Sequence, residues 1–267
     1  MRVRLCSLLI LASALVSAGQ AQNPPEKQPV VKFADGGADA SGVGLMDSIF
    51  IPPKAGAPFD LKLGAEWSRA MANGGSFTLV NERRIVRDSR GRIYQERFTL
   101  VPKGGDLQPQ MTVFQITDPD QHTWYNCAPY NKVCDLRSYR LSTTMHFQPQ
   151  LETSGALPDG KGYRQDDDLG EGSQHGLGTH GYREVYSFNP GAMGNDKEMT
   201  ITREFWFSPQ LGINLSSLVD NPQTGKQIFT VKELSTSEPD PSMFEVPADY
   251  RVIDRRPAEA SPAGPHP

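Results

Sequence analysis

Turn signals, more than any other feature, limit what this chain can fold into. Runs of β-branched and aromatic residues are cut by ANGG at 72–75, DSRG at 88–91, DPDQ at 118–121, SPQLG at 208–212 and NPQTG at 221–225. Each supplies Asp, Asn, Ser or Pro to open a turn, and most supply a glycine that accepts positive φ. Runs bounded in this way pair as β-hairpins. The clearest period of two spans Glu198 to Phe207. There Met199, Ile201, Phe205 and Phe207 share a face with Arg203, opposite Thr200, Thr202, Glu204 and Trp206.

Helical periodicity is weak throughout. Leu63–Met71 is the best short helix candidate, and a single turn is expected around Asp240–Phe244. About ten strands and few short helices predict one mainly β domain over residues 58–254, either a barrel or a strongly curved open sheet. Residues 142–178 lack any period and are rich in glycine and acid, so they read as an irregular insertion within that domain.

The ends differ from this middle. Residues 1–21 carry Arg2 and Arg4 ahead of an apolar run from Leu5 to Val16, then small residues up to Ala21, the pattern of a secretory signal peptide. That run is shorter than the roughly 20 residues a spanning helix needs, so no transmembrane segment is expected in the mature, exported chain. No cysteine follows the small residues near Ala21, which argues against a lipid-anchored N-terminus. Residues 22–57 read as a flexible leader rich in Pro, Gly, Ala and Asp, with one docking point at Ile49 to Ile51. Residues 255–267 read as a disordered tail by the same reasoning. The expected location is the periplasm or the extracellular space.

Charge narrows the partners. The chain carries 27 basic and 31 acidic residues, and loss of Arg2 and Arg4 with the signal makes it more acidic. No concentrated basic surface suggests nucleic acid. Cys127 and Cys134, in CAPYNKVC, are expected to form a disulfide, as a closely spaced pair in an exported chain does.

Catalytic signatures are absent: there is no GxSxG, HExxH, P-loop or dinucleotide fingerprint. Asp166, Asp167, Asp168, Glu171, His175 and His180 are the only clustered candidates for metal chemistry. Their glycine-rich setting reads as a solvated acidic loop, so no metal and no cofactor are expected. The cluster Arg83, Arg84, Arg87, Arg90 and Arg92 crowds one hairpin tip and reads as a charged, solvated edge, with an anionic lipid headgroup or acidic partner as the alternative. Trp67, Trp124 and Trp206 lie in expected strands, where packing is the usual role of an aromatic. Trp206 sits on the otherwise polar face of its strand, giving it the better claim to line a cavity.

Several segments resemble a family of uncharacterised exported acidobacterial proteins: RDSRGRIYQERF, ITDPDQHTWY, PGAMGND, EFWFSPQLGINLSSLVDNPQTGKQIFTVKEL and the ending EPDPSMFEVPADY. More distantly, the FSPQLGINL hairpin, its following strand and the closing segment resemble periplasmic lipoprotein carriers and the periplasmic regulator of the envelope-stress sigma factor. That resemblance implies a curved antiparallel sheet, an incomplete barrel whose concave apolar face holds acyl chains or a partner. The chain lacks the helices that fill this face in the carriers, and its cysteine pair and acidic insertion are not part of their pattern. The expected function is a non-enzymatic envelope protein binding a lipid, an acylated protein or a hydrophobic peptide, through Trp67, Trp124, Tyr125, Phe205, Trp206 and Phe207. A sensor or scaffold for an envelope protein is the alternative, and a metal-dependent enzyme using the acid and histidine loop is the third reading.

Overall fold

The structure, a computed structural model, describes residues 49, 51–140 and 151–257. The expected signal peptide lies outside them, as do most of the leader, residues 142–150 and residues 258–267. Among the described residues, strands β1 (Phe59–Ala70), β2 (Ser76–Arg87), β3 (Ile93–Phe98), β4 (Val101–Pro102), β5 (Met111–Asp118), β6 (Thr123–Ala128) and β7 (Val133–Ser138) come in the first part, up to residue 140. After it come β8 (Gly155–Ala156), β9 (Gly162–Gln174), β10 (Leu177–Phe188), β11 (Met199–Ser208), β12 (Ile213–Asn221), β13 (Gly225–Ser235) and β14 (Arg251–Asp254). All belong to one open sheet, an incomplete barrel, in the order β14-β7-β6-β5-β3-β2-β1-β13-β12-β11-β10-β9-β8, with β4 pairing β2 beyond the end of β3. Neighbours are antiparallel except β14, which runs parallel to β7.

The core follows from alternation along β1. Phe59, Leu61, Leu63, Ala65 and Trp67 are buried on one face, where Ile85, Phe229, Val231 and Leu215 join them. Fully burying a Leu or Phe side chain contributes about 1.5–3 kcal/mol, so this row alone anchors β1 between its neighbours. Leu63–Met71, the expected helix, is therefore strand as far as Ala70. A sheet on both sides and a buried alternate face outweigh the helix-forming residues Leu63, Ala65 and Glu66.

The leader docks where expected, at Ile49 and Ile51. Ile49, Ile51 and Ala57 are buried, and Ile49 and Ile51 join the core beneath β1. Arg87, itself fully buried, holds them there. Its guanidinium donates to the carbonyls of Pro52, Ala57 and Leu211 at 2.6–3.0 Å and lies 4.6 Å from the ring centre of Phe59. Burial pushes this guanidinium down to about 10.

Residues 151–178 are also not irregular. β8, β9 and the start of β10 fall inside the expected insertion, and β9 pairs with β10 from Gly162↔Phe188 to Gln174↔Leu177. No apolar period betrays β9, because charged contacts within the strand and to its neighbours take the place of an apolar face. Arg164 donates to both oxygens of Asp166 and pairs with Glu152, while Glu184 lies 3.6 Å from it.

A second cluster sits on the opposite face, where Val86, Phe114, Ile116, Cys127 and Cys134 are covered by Phe244, Val246 and Tyr250. The expected turn is a 3₁₀ turn at Pro241–Phe244, capped by Asp240, whose carboxylate accepts from the Ser242 N–H at 2.9 Å. The expected disulfide joins Cys127 and Cys134, directly opposed residues of β6 and β7.

Candidate ligand groove

A groove of about 610 Å³ opens on the face of β13, β1 and β2 opposite the first core cluster. Its floor is two adjacent rungs of the ladder: Thr230, Gly64 and Glu82 in one, Ile228, Glu66 and Val80 in the next. Gly64 makes the depression. A Cβ there would stand 2.6 Å from Cε of Lys232, so the lysine stem lies across the glycine. Lys232 is available because the β1–β13 register shifts between Lys62 and Leu63, leaving it as the extra residue of a bulge.

The wall is the segment from Phe98 to Pro109. Its base is closed by the Thr99 N–H donating to the Gln110 carbonyl at 2.9 Å and the Gln110 N–H donating to Thr99 Oγ1 at 3.0 Å. Asn81 fixes it to β2 by donating to the Phe98 carbonyl at 2.8 Å, and Lys103 crosses to Glu66 at 2.7 Å. Phe98, Val80, Val101, Leu107, Pro109 and Ile228 supply apolar lining, with Glu66, Glu82, Lys103 and Lys232 around them. A volume of this size, lined about equally by apolar and polar surface, suits a small ligand or a chain that carries a polar head. No His, Cys or Ser lines it.

The six aromatics expected to form a site do not converge, and none lines this groove. Trp67 is core, its indole N–H donating to the Thr224 carbonyl at 2.7 Å. Trp124 is half-buried with the Arg137 guanidinium 5.9 Å from its ring, and Tyr125 packs on the second cluster of the opposite face. Phe205 is half-buried beside Tyr182, and Phe207 is buried opposite His180. Trp206 does face away from Phe205, but it covers Gly172 and Gly181 of the neighbouring strands and donates to Glu204 at 3.1 Å. Of the groove's own residues the sequence marked none; the exposed Lys232 and Gly64 inside a strand pattern were the available signals.

Of the acid and histidine residues, His180, Asp168 and Glu171 meet, and Asp166 and His175 point to other partners. His180 takes Asp168 on Nε2 at 2.6 Å and Glu171 on Nδ1 at 2.8 Å, spanning the bulge that β9 makes between them. These two carboxylates, Glu171 first, raise the His180 imidazole above its ordinary range. Asp166 is committed to Arg164, and His175 reaches β13. Among the described residues, no three His, Cys, Asp or Glu side chains gather where an ion could be held. The arginine cluster is also split, with Arg83 and Arg87 buried and Arg84, Arg90 and Arg92 paired to Asp60, Asp120 and Asp88.

No family model and no curated protein matches this chain. Solved structures do. The MucA/MucB complex of Pseudomonas aeruginosa shares 14% identity over 79% of this chain and 64% of that one, with a TM-score of 0.36. LprF from Mycobacterium bovis shares 10% over 70% of this chain and 90% of that one, at 0.26. The lipoprotein LppX of Mycobacterium tuberculosis shares 10% over 68% and 91%, at 0.23. The chain thus spans less than two thirds of the MucB-containing match, and its distant similarity is to MucB and lipoprotein structures. Among the described residues no helix is long and apolar enough to cross a membrane.

Proposed function

We propose that this is a non-enzymatic envelope binding protein that takes the hydrocarbon chain of a lipid or acylated molecule into the groove over Gly64. The observation that carries this reading is the groove itself: about 610 Å³ with an apolar lining from Phe98, Val101 and Ile228. Carboxylates and amines without imidazole or thiol equip it to orient a ligand rather than to transform one. The sequence pattern of an exported chain supports an envelope location. The first core face is a less suitable seat, since Leu61, Leu63, Leu215 and Phe229 already fill it together with Ile49 and Ile51.

Replacing Thr230 on the groove floor by Trp tests the reading. Wild-type protein should bind a fluorescent long-chain fatty acid, and Thr230→Trp should lose at least tenfold in affinity while melting as wild type does. Absence of binding to the wild type, or equal binding by the folded variant, removes the groove as the site.

A further inference from the structure

We propose that the protein docks on the surface of a phospholipid bilayer through the connections at one end of its sheet. Alternate connections of an antiparallel sheet emerge at the same end. The β1–β2, β4–β5, β6–β7, β10–β11 and β12–β13 connections therefore share one rim. Exposed large apolar side chains collect there: Met71, Phe77, Leu107, Tyr130 and Met193, with Leu107 66% and Tyr130 85% exposed. Tyr163 and Val252, each the second residue of a strand that starts at this rim, continue the pattern. Among the described residues Leu151 is the one exposed large apolar side chain elsewhere. The opposite rim, at 88–92, 118–122, 174–177 and 208–212, carries none, and closes instead on contacts such as Arg90 with Asp120 at 2.9 Å.

Two observations select a bilayer over a protein. Apart from Met71 and Phe77, which flank one turn, the apolar side chains stand singly along the rim, whereas a stable dimer or complex needs roughly 1,200–2,000 Å² of matched, continuous surface. Some rim charges are satisfied within the chain, Lys103 with Glu66, Lys132 with Asp249 and Lys161 with Asp159. Other exposed rim charges are of mixed sign, Arg69, Lys197 and Arg251 against Asp106, Asp196 and Glu198, so no field of one sign is left to recognise a charged partner. A deformable interface accepts Met, Leu and Phe tips one at a time, and Tyr130 can enter with its hydroxyl left among the headgroups. Binding then comes from insertion, and salt weakens it little. Of these rim side chains Leu107 also lines the groove, and the others do not.

Vesicles of phosphatidylcholine, which carry no net charge, are the probe. Full-length mature protein should co-sediment with them, and Tyr130→Asp combined with Met193→Asp should weaken partitioning at least tenfold. Neither residue lines the groove, so fatty-acid binding by the double variant should match wild type. Gln210→Asp, on the opposite rim, should leave vesicle binding unchanged. The proposal is overturned if wild type does not sediment, if the folded double variant sediments equally, or if 0.5 M salt abolishes binding, about half a nanometre of screening length. Self-association lost in the same double variant, without vesicle binding, would assign this rim to a second copy of the chain instead.

Discussion

His175 donates from Nε2 to the main-chain carbonyl of Val231, 2.9 Å away and 56 positions along the chain. The contact lies where β12 and β13 part. Their pairing ends at the Ser216–Thr230 rung, next to Leu215, the extra residue in the β12 ladder against β11. Gln174 donates to Ser216 at 2.9 Å on the last paired rung, and Leu177 packs on the first core cluster. The tip of the β9–β10 hairpin thus reaches past β11 and closes a gap in the sheet.

Replacing His175 by Ala should loosen that tip without unfolding the sheet. One hydrogen bond to a main-chain carbonyl contributes about 1 kcal/mol, and losing it leaves the Val231 carbonyl without this donor. Hydrogen exchange at Gln174–Leu177 should accelerate severalfold while exchange in β1 and β2 stays at the wild-type rate. Equal acceleration throughout would mean that the hairpin is not an independent opening unit.

The bend of the same hairpin should depend on pH through His180. Its pKa is raised by Glu171 and Asp168, so its stabilisation is complete below the ordinary value of 6.5 and is lost as pH rises through the elevated folded value. Asp168 is lowered by the Gly170 N–H and by His180, so its share is complete above the ordinary 3.8 and is lost as pH falls through the depressed folded value. Protection of β9 and β10 amides should therefore be greatest between about pH 4 and 6.5. His180→Gln should flatten the decline on the alkaline side; an unchanged profile would assign that decline to another group.

Arg87 should be the costliest single surface-to-core link to remove. Met in its place leaves the Pro52, Ala57 and Leu211 carbonyls without their donor inside the core, at about 1–3 kcal/mol each and less than additively. Lys keeps the charge but not the planar fork that reaches three acceptors. Chemical denaturation should show a loss of at least about 3 kcal/mol for Arg87→Met and a smaller one for Arg87→Lys. Proteolysis near residues 52–57 should appear in both; its absence would mean that Ile49 and Ile51 hold the segment unaided.

Much of the sheet was legible because its strands alternate against a core and its turns use Asp, Asn, Pro and Gly. β2, β11 and β13 follow the expected runs closely, and Asp240–Phe244 forms its expected turn. β9 was illegible for a physical reason: Asp166, Asp167 and Asp168 occupy a strand whose contacts are charged, so no apolar period exists to read. β1 was partly misread because Leu, Ala and Glu favour a helix locally, and only pairing with β2 and β13 decides between the two. The groove was hidden more deeply. Its floor brings together residues from β13, β1 and β2 that are distant in sequence, and a register shift at Lys62/Leu63 that no local pattern signals.

Trp206 gives a last prediction, since its role turned from lining to covering. A Cβ at Gly172 would lie 2.5 Å from Cζ3 of Trp206, and one at Gly181 would lie 3.0 Å from the same ring and 2.9 Å from Leu169 Cβ. The indole is a rigid plate held at its edge by Glu204, so it cannot absorb a methyl group by bending. Gly172→Ala should cost about 1–3 kcal/mol by forcing the ring off its seat. Trp206→Ala should cost a similar amount by uncovering two glycine strands. The double variant should cost less than the sum of the two, because the added methyl group meets no ring once the indole is gone. Denaturation midpoints of the four proteins complete the cycle; strict additivity would show that Trp206 and Gly172 do not share a contact in solution.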